Sequence, residues 1–201
     1  IRGLCNRYLE MKRSLLCRLV TVTRQIRQIA SEISKNMENI NKLFFPENSF
    51  KRIKSIECGL SDAHHGGQTV AKVYPDNQEV LIYKQRSLEK DQRFMELYGQ
   101  FCSNAGLSFQ SVRILAKKDY SLESYIEQRS CKSEAEVKRY FQRMGILLFL
   151  CRLMGMSDMH GENIIAAGEY PIPVDLETLP GNPDYAVREN ANRMVIEELK
   201  H

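Results

Sequence analysis

Tryptophan is absent from this sequence, and so are paired cysteine motifs. The six cysteines are scattered at positions 5, 17, 58, 102, 131 and 151, without a Cys-x-x-Cys unit or a matching pair of histidines. This pattern argues against a zinc module or a disulfide framework, so we expect reduced cysteines that behave as small buried hydrophobic residues. A signal peptide and a membrane-spanning run are missing too, which makes the cytoplasm the expected location.

A large excess of charge is also missing, because 29 Lys and Arg residues against 25 Asp and Glu residues leave a net charge of +4. No basic patch interleaved with aromatic residues is present, so we expect no nucleic-acid partner. The mild positive charge suits an acidic or phosphorylated ligand. The length of 201 residues fits one medium domain, or one domain with a helical appendage. Because the chain begins at Ile1 and ends at His201 within a helical pattern, we expect a piece of a longer protein.

The first 45 residues have the clearest helical pattern. Apolar residues recur there in steps of three and four, and neither Gly nor Pro occurs between Leu4 and Phe45. The mean step near 3.6 predicts one long helix, or two with a break that the sequence does not locate, packed on a core. A docking face for a peptide is the alternative. The predicted inner face consists of Leu4, Tyr8, Met11, Leu15, Leu19, Val22, Ile26, Ile29, Ile33, Met37, Ile40 and Phe44.

Residues 58–86 have strand character. Segments 69–74 and 80–84 alternate around a turn at 75–77, and a polar loop with Gly66 and Gly67 precedes them. Two adjacent glycines let backbone N–H groups approach a phosphate, although this signal is weak. Lys84 ends the strand VLIYK, where it is either a cation that contacts phosphate oxygens or a solvated lysine at a strand end.

Two further helices follow. Ser87 is expected to cap the first, whose inner face would be Leu88, Phe94, Leu97 and Phe101, while Glu89, Asp91 and Glu96 are either partners for Lys84 or surface acids. A short strand at 112–115 and a connector at 120–128 come next. Ser133 and Glu136 form a capping-box pattern that opens the second helix. Its predicted inner face is Val137, Phe141, Met144, Leu148 and Cys151.

The segment from 155 to 179 has the strongest functional signal. Residues 164–166 and 172–174 predict a hairpin, and Asp158, Asn163, Asp175 and Glu177 would meet at one end of it. Carboxylate and amide oxygens suit Mg²⁺ that carries nucleotide phosphates, with one further Asp free to take a proton from a hydroxyl. Taken singly, Asp158 and Asn163 are also ordinary loop formers.

These patterns predict an α+β, two-lobed kinase-like fold, present in part, with an N-terminal helical extension. We expect a helical region at 1–48, a small strand-rich lobe with one helix at 49–128, and a helical lobe with catalytic and metal loops at 129–201 that is truncated at its C-terminus. The order of a His-containing loop, a strand pair and Asp-x-Glu is typical of phosphoryl-transfer sites.

The residues also carry a family resemblance. Asp158-Met-His160-Gly-Glu-Asn163 resembles the Asp-x-His-x-x-Asn loop of phosphoinositide-type lipid kinases, and Asp175 stands where their metal-binding Asp would fall. From residue 61 onward the chain more specifically resembles the dehydratase domain of class II lanthipeptide synthetases, the LanM type. The motifs that carry this resemblance are SDAHHGGQTV, LIYKQRSLEKDQRF and SDMHGENIIAAGEYPIPVDLETL.

The resemblance implies an enzyme that uses ATP and Mg²⁺ to phosphorylate Ser and Thr of a ribosomal precursor peptide, which consists of a leader and a core. The same site then eliminates phosphate to leave dehydroalanine or dehydrobutyrine. Asp158 would be the base for the substrate hydroxyl, and His160 would support its loop. Three residues would hold the metal: Asn163, Asp175 and Glu177.

The resemblance places a second group opposite these residues. Lys84 would bind phosphate, and Asp62 and His64 would help the elimination with it. Gln85 departs from the family, which has Pro at that position. The family's further helical region and its zinc-dependent cyclase domain are expected in the full-length protein but are absent from this chain, so full dehydration by the chain alone is in doubt. A lipid or small-molecule kinase without elimination, and a non-catalytic peptide-binding fragment, are the alternatives.

Overall fold

The computed structural model describes residues 8–59, 69–156, 159–176 and 178–179. They form a mixed α+β protein with four α-helices and antiparallel strands. The chain divides into two compact units, each with its own core. The first comprises Ile1–Leu88 and Arg113–Tyr125, and the second comprises Glu89–Val112 and Ile126–His201. The prediction of an α+β fold is confirmed at this level.

The first unit begins with helices α1, Leu9–Lys35, and α2, Met37–Phe44. Asn36 separates them, so the alternative of two helices with a break is the correct one. Its backbone N–H still donates to the carbonyls of Glu32 and Ile33, but its own φ and ψ are not helical. The Asn36 side-chain amide donates to the Glu32 carbonyl at 3.0 Å and to the Tyr120 hydroxyl at 2.8 Å. Asn competes for backbone groups in this way, which explains why the break lies here.

A five-stranded antiparallel sheet completes the first unit, in the order β1-β2-β3-β5-β4. Strands β2 and β3 match the prediction. The interpretation of residues 120–128 as a connector was wrong at β5, which pairs with β3 and β4 on its two sides. The sequence SLES has little apolar alternation, so only tertiary pairing shows that it is a strand. The strands are β1 Ile53–Cys58, β2 Ala71–Pro75, β3 Leu81–Lys84, β4 Ile114–Ala116 and β5 Ser121–Ser124.

The core of this unit packs the second half of α1 and the whole of α2 on one face of the sheet. Ile29, Ile33, Ile40 and Phe44 are buried there, as predicted. Met11, Leu15, Leu19, Val22 and Ile26 belong to the same predicted face but are exposed, so the prediction was wrong at these positions of α1. A helical period identifies a face; it does not say how far the sheet extends beneath it.

The second unit contains α3, Glu89–Asn104, and α4, Glu134–Leu153. A 3₁₀ turn at Gly161–Asn163 leads into a hairpin of β6, Ile164–Ala167, and β7, Tyr170–Pro173. The predicted hairpin is confirmed, with a shorter turn than expected: only Gly168 and Glu169 separate the strands. Gly168 has φ +66°, a conformation that favours glycine.

Helix α4 begins as the capping-box pattern predicts, because the Ser133 hydroxyl accepts a hydrogen bond from the Glu136 N–H at 3.2 Å. Its predicted inner face is confirmed at Cys151, which is buried, and at Met144, which packs partly buried on the core, but it was wrong at the other three positions. Val137, Phe141 and Leu148 are exposed, and the buried face consists of Arg143, Leu147, Leu150 and Cys151. The second half of the helix is apolar on several sides, so its hydrophobic pattern does not identify the buried face. Arg143 is buried as well, so polarity does not identify that face either.

Helix α3 packs against α4 and the hairpin through Phe94, Met95, Tyr98 and Cys102, whereas Phe101, predicted on this face, is exposed. Every cysteine in the described part of the chain is unpaired, as expected. Burial raises the pKa of the Cys102 thiol, and that of Cys151 to about 11, which keeps these thiols protonated. Cys17 is exposed, contrary to the expectation of buried cysteines. Among the described helices, none combines the length and the apolar character needed to cross a bilayer.

Candidate functional site

The first candidate group is centred on Lys84, the last residue of β3. Leu81 and Tyr83 are buried in the core, so the alternation of the strand places Ile82 and Lys84 on the opposite face. Lys84 is nevertheless only 8% exposed, and its Nζ lies 2.9 Å from Oε1 of Glu123. The interpretation of Lys84 as a solvated lysine is therefore wrong.

The sheet register explains the Lys84–Glu123 pair. Ile82 pairs directly with Glu123 across β3 and β5, and Lys84 lies two residues further along β3 on the same face. Diagonal neighbours of this kind are within reach of long side chains. Each side chain of the pair is about nine-tenths buried. Burial of two charges is tolerated here because each supplies the counter-charge of the other.

Gln85 follows Lys84, and its side-chain Oε1 is buried. No donor in the described part of the chain makes a hydrogen bond to this oxygen. A buried acceptor without a partner is costly, and an N–H or O–H donor on a bound molecule would satisfy it.

The second candidate group lies at the open end of the β6–β7 hairpin. Asn163 ends the 3₁₀ turn, and its carbonyl accepts a hydrogen bond from the Val174 N–H at 3.0 Å, next to the Ile164–Pro173 pair. Asp175 follows Val174 directly and is exposed. The hairpin therefore brings Asn163, which carries a side-chain amide, and Asp175, which carries a carboxylate, to the same end.

His160 supports the turn that carries Asn163. Its carbonyl accepts from the Asn163 N–H at 3.0 Å, and its Nδ1 accepts from the Glu162 N–H at 3.3 Å. A neutral imidazole that accepts at Nδ1 carries its proton on Nε2. Nε2 lies 3.5 Å from the Asn163 side-chain amide, whose oxygen and nitrogen are assigned from such networks. A proton on Nε2 favours the amide orientation that turns its oxygen toward His160.

Several predicted site residues lie outside the described part of the chain. Within the described part, no group of three or more His, Cys, Asp or Glu side chains could hold a metal ion. Asn163 and Asp175 are thus the predicted metal ligands that the structure places. The predicted residues outside the described ranges are Asp62, His64, Gly66, Gly67, Asp158 and Glu177.

Sequence reasoning missed a buried ionic cluster behind the hairpin. Arg143 of α4 is 1% exposed, and its Nη1 lies 2.9 Å from Oε2 of Glu169 in the turn. It also donates to the carbonyl and the hydroxyl of Ser108, each at 2.9 Å, and its guanidinium lies 4.5 Å from the centre of the Tyr170 ring. Arg139 donates to the same carboxylate. These contacts fasten the hairpin turn to α4.

These features define a mixed α+β protein with a buried lysine in its sheet and a polar end on its hairpin. The chain belongs to the family described as Domain of unknown function (DUF4135), whose model matches residues 8–200. It is similar to the lacticin 481/lactococcin biosynthesis protein LcnDR2 of Lactococcus lactis subsp. lactis, with 28% identity over 185 residues. The match covers 88% of this chain and 19% of the relative, so the chain spans about a fifth of that protein's length.

Proposed function

We propose that this chain is the kinase-like part of a lanthipeptide-modifying enzyme. It phosphorylates Ser and Thr of a ribosomal precursor peptide with ATP and Mg²⁺, and phosphate is then eliminated to give dehydroalanine or dehydrobutyrine. We infer the substrate from the similarity to a lacticin 481/lactococcin biosynthesis protein over 88% of the chain. Within this proposal, the α+β fold is that of a lipid-kinase-like catalytic core.

We propose that residues of both units supply the groups that bind a magnesium nucleotide. Asn163 and Asp175 offer oxygen ligands, which Mg²⁺ prefers, and Glu177 is proposed to join them. Lys84 offers a cation for phosphate oxygens. The buried Oε1 of Gln85 offers an acceptor for an N–H or O–H of a nucleotide. When bound, the magnesium nucleotide supplies the phosphoryl group and neutralises charge as that group transfers.

The protein's residues would divide the first reaction between them. Asp158 takes the proton from the Ser or Thr hydroxyl, and the hydroxyl oxygen forms the new bond to phosphorus as the bond to ADP breaks. His160 holds the loop that carries Asp158 and orients Asn163. Asn163 and Asp175 would hold the magnesium ion. The adjacent residues Gly66 and Gly67 would present backbone N–H groups to phosphate oxygens.

The second reaction breaks the bond between Cβ and the phosphate oxygen as a proton leaves Cα, and the electron pair of that C–H bond forms the double bond. Lys84 stabilises the departing phosphate, because a cation beside a leaving anion lowers the barrier to its departure. Asp62 and His64 are proposed to assist this step. The whole process consumes one ATP and removes one water from each modified residue.

Mass spectrometry of a candidate precursor peptide, incubated with ATP and Mg²⁺, tests this proposal directly. Loss of water per Ser or Thr supports the dehydratase, and a lasting gain of phosphate supports a peptide kinase. In the longer protein, Asp158→Ala should abolish phosphorylation, and Lys84→Ala or His64→Ala should let phosphopeptide accumulate. The exposed Lys118→Ala is the matched lysine control. Unchanged dehydration in all three site variants would refute these roles.

Two other functions remain as competitors. A kinase that acts on a lipid or small molecule would transfer phosphate to that compound and leave the peptide unmodified. A non-catalytic peptide-binding chain is favoured by one observation, the exposed apolar side chains of α1 such as Leu15, Leu19 and Val20. Nucleotide binding that needs Mg²⁺ and fails in Asp175→Asn would argue against the second competitor.

A further inference from the structure

We propose that Glu123 is the positioning residue for Lys84, which fixes the ammonium group where it meets phosphate. The inference rests on the proposed function, because it gives Lys84 a nucleotide or phosphopeptide to act on. The sequence patterns that singled out Lys84 did not include Glu123. Its position follows from the sheet register, in which Glu123 pairs with Ile82 on one side and with Ile114 on the other.

The backbone of Glu123 is held from two sides. Strand β5 lies between β3 and β4, so its N–H and carbonyl groups are committed to two ladders. The neighbouring residue Leu122 is fully buried in the core of the unit. A shift of Glu123 would require this strand to move against both of its partners, and such a shift would reverse the faces of Leu122 and Glu123.

The contact between Glu123 and Lys84 is short and largely shielded from solvent. Nζ and Oε1 are 2.9 Å apart, and the two side chains are 10% and 11% exposed. A charge-assisted hydrogen bond in such surroundings is stronger and more directional than one in water. An ammonium group has three donors, and Glu123 accepts from one of them. The Glu123 carboxylate therefore restricts where the ammonium group of Lys84 can lie.

In protein kinases the phosphate-binding lysine is held by a glutamate on a mobile helix. Here the lysine and the glutamate belong to adjacent strands of one sheet. Since a sheet ladder does not rotate as a helix does, the pair is formed whenever the sheet is folded. We therefore expect Lys84 to be held in place before any nucleotide or peptide binds.

A cycle of Glu123→Gln, Lys84→Met and the double variant tests the inference in the longer protein. Glu123→Gln should weaken use of ATP on the order of 10²-fold, the typical cost of misplacing a group by about 1 Å. The KM for the peptide should stay unchanged. In the Lys84→Met background the same Glu123 substitution should have no further effect on ATP. Equal losses in both backgrounds would overturn the inference, because Glu123 would then act other than through Lys84.

Selective labelling of lysine amines, read by mass spectrometry, supplies a measurement that needs no nucleotide. Lys84 should label slowly in the wild type and faster in Glu123→Gln. Glu57→Gln is the matched control, because Glu57 belongs to the same sheet but is exposed and bonded to Tyr74. Unchanged labelling overturns the inference. Faster labelling in a protein that binds no ATP supports the pairing and overturns the proposed function instead.

Discussion

Arg143 and Glu169 form a buried ion pair that joins helix α4 to the turn of the β6–β7 hairpin, with Nη1 and Oε2 2.9 Å apart. Arg143 also donates to the Glu169 carbonyl at 3.1 Å, so it holds the backbone of the turn as well as the side chain. The Tyr98 hydroxyl donates to the Arg143 carbonyl at 3.2 Å, which joins α3 to the same turn of α4. The hairpin that carries Asn163 and Asp175 is thus anchored at its closed end.

Replacement of Arg143 by Met should destabilise the second unit by about 3 kcal/mol. Removal of one partner of a buried ion pair costs roughly 3–5 kcal/mol, and we expect the lower end because Glu169 keeps Arg139. Urea unfolding of the whole chain measures the change. Arg139→Met is the control, since Arg139 binds the same carboxylate from a more exposed position and should matter less. Equal losses of stability in the two variants would show that the contribution of each arginine does not depend on how deeply it is buried.

Glu169 should make stability depend on pH in the acid range. The hydrogen bond from Arg139, and after it those from Arg143, lower the pKa of the Glu169 carboxyl below its ordinary value of 4.5. A carboxyl with a lowered folded-state pKa contributes stability above its unfolded-state pKa, and this stability is lost as pH falls through the folded-state value. The stability difference between wild type and Glu169→Gln should thus be full at pH 7 and shrink below pH 4.5. A difference that stays constant as pH falls would show that the carboxylate charge contributes nothing.

Much of the fold and part of the site could be read from the sequence. Strands β2 and β3 and the hairpin alternate clearly, and Ser133 with Glu136 forms the cap of α4. Lys84 could be singled out because it ends an apolar strand. Local period and turn chemistry decide such features, and they are properties of short segments.

The features that escaped prediction all depend on partners distant in sequence. Glu123 belongs to a strand that only its pairing with β3 and β4 reveals. Arg143 is buried because Glu169 and Ser108, 26 and 35 residues away, satisfy it. A polar residue inside an apolar helix normally marks the solvent side, so this pair reverses the usual signal. A charge on the apolar half of a helix, with an opposite charge in a later turn, is the pattern to look for.

Two helical glycines should respond in opposite ways to the same substitution. A Cβ at Gly99 of α3 would lie 2.8 Å from the ring of Phe109, whereas a Cβ at Gly145 of α4 meets nothing within 4 Å. Ala favours a helix interior by about 1 kcal/mol over Gly. Overpacking typically costs 1–3 kcal/mol, so we expect Gly99→Ala to destabilise and Gly145→Ala to stabilise by up to about 1 kcal/mol.

Urea midpoints of the two alanine variants test this contrast in one experiment. Phe109→Ala removes the Cγ, Cδ1 and Cε1 atoms that the new Cβ would meet, so it should relieve the Gly99→Ala clash in the double variant. The ring also packs against Tyr98 at 5.2 Å between centroids, and Phe109→Ala alone is the necessary reference for that loss. Stabilisation by Gly99→Ala would show that Phe109 moves aside without cost.

Three neighbouring residues at the open end of the hairpin should contribute unequally to Mg²⁺ binding at the proposed magnesium site. In the proposed site Asp175 would offer a carboxylate with two oxygens, Asn163 would offer one neutral oxygen, and His160 would orient Asn163. The concentration of Mg²⁺ that half-saturates ATP binding should therefore rise most in Asp175→Asn and less in Asn163→Ala. His160→Ala should have the smallest effect, about 10- to 100-fold, the usual effect of removing a group that orients a metal ligand. Calorimetric titration of each variant with Mg²⁺ at fixed ATP provides the ranking. If His160→Ala raises the requirement more than Asp175→Asn does, the metal does not bind through the hairpin carboxylate, and the role of His160 is direct.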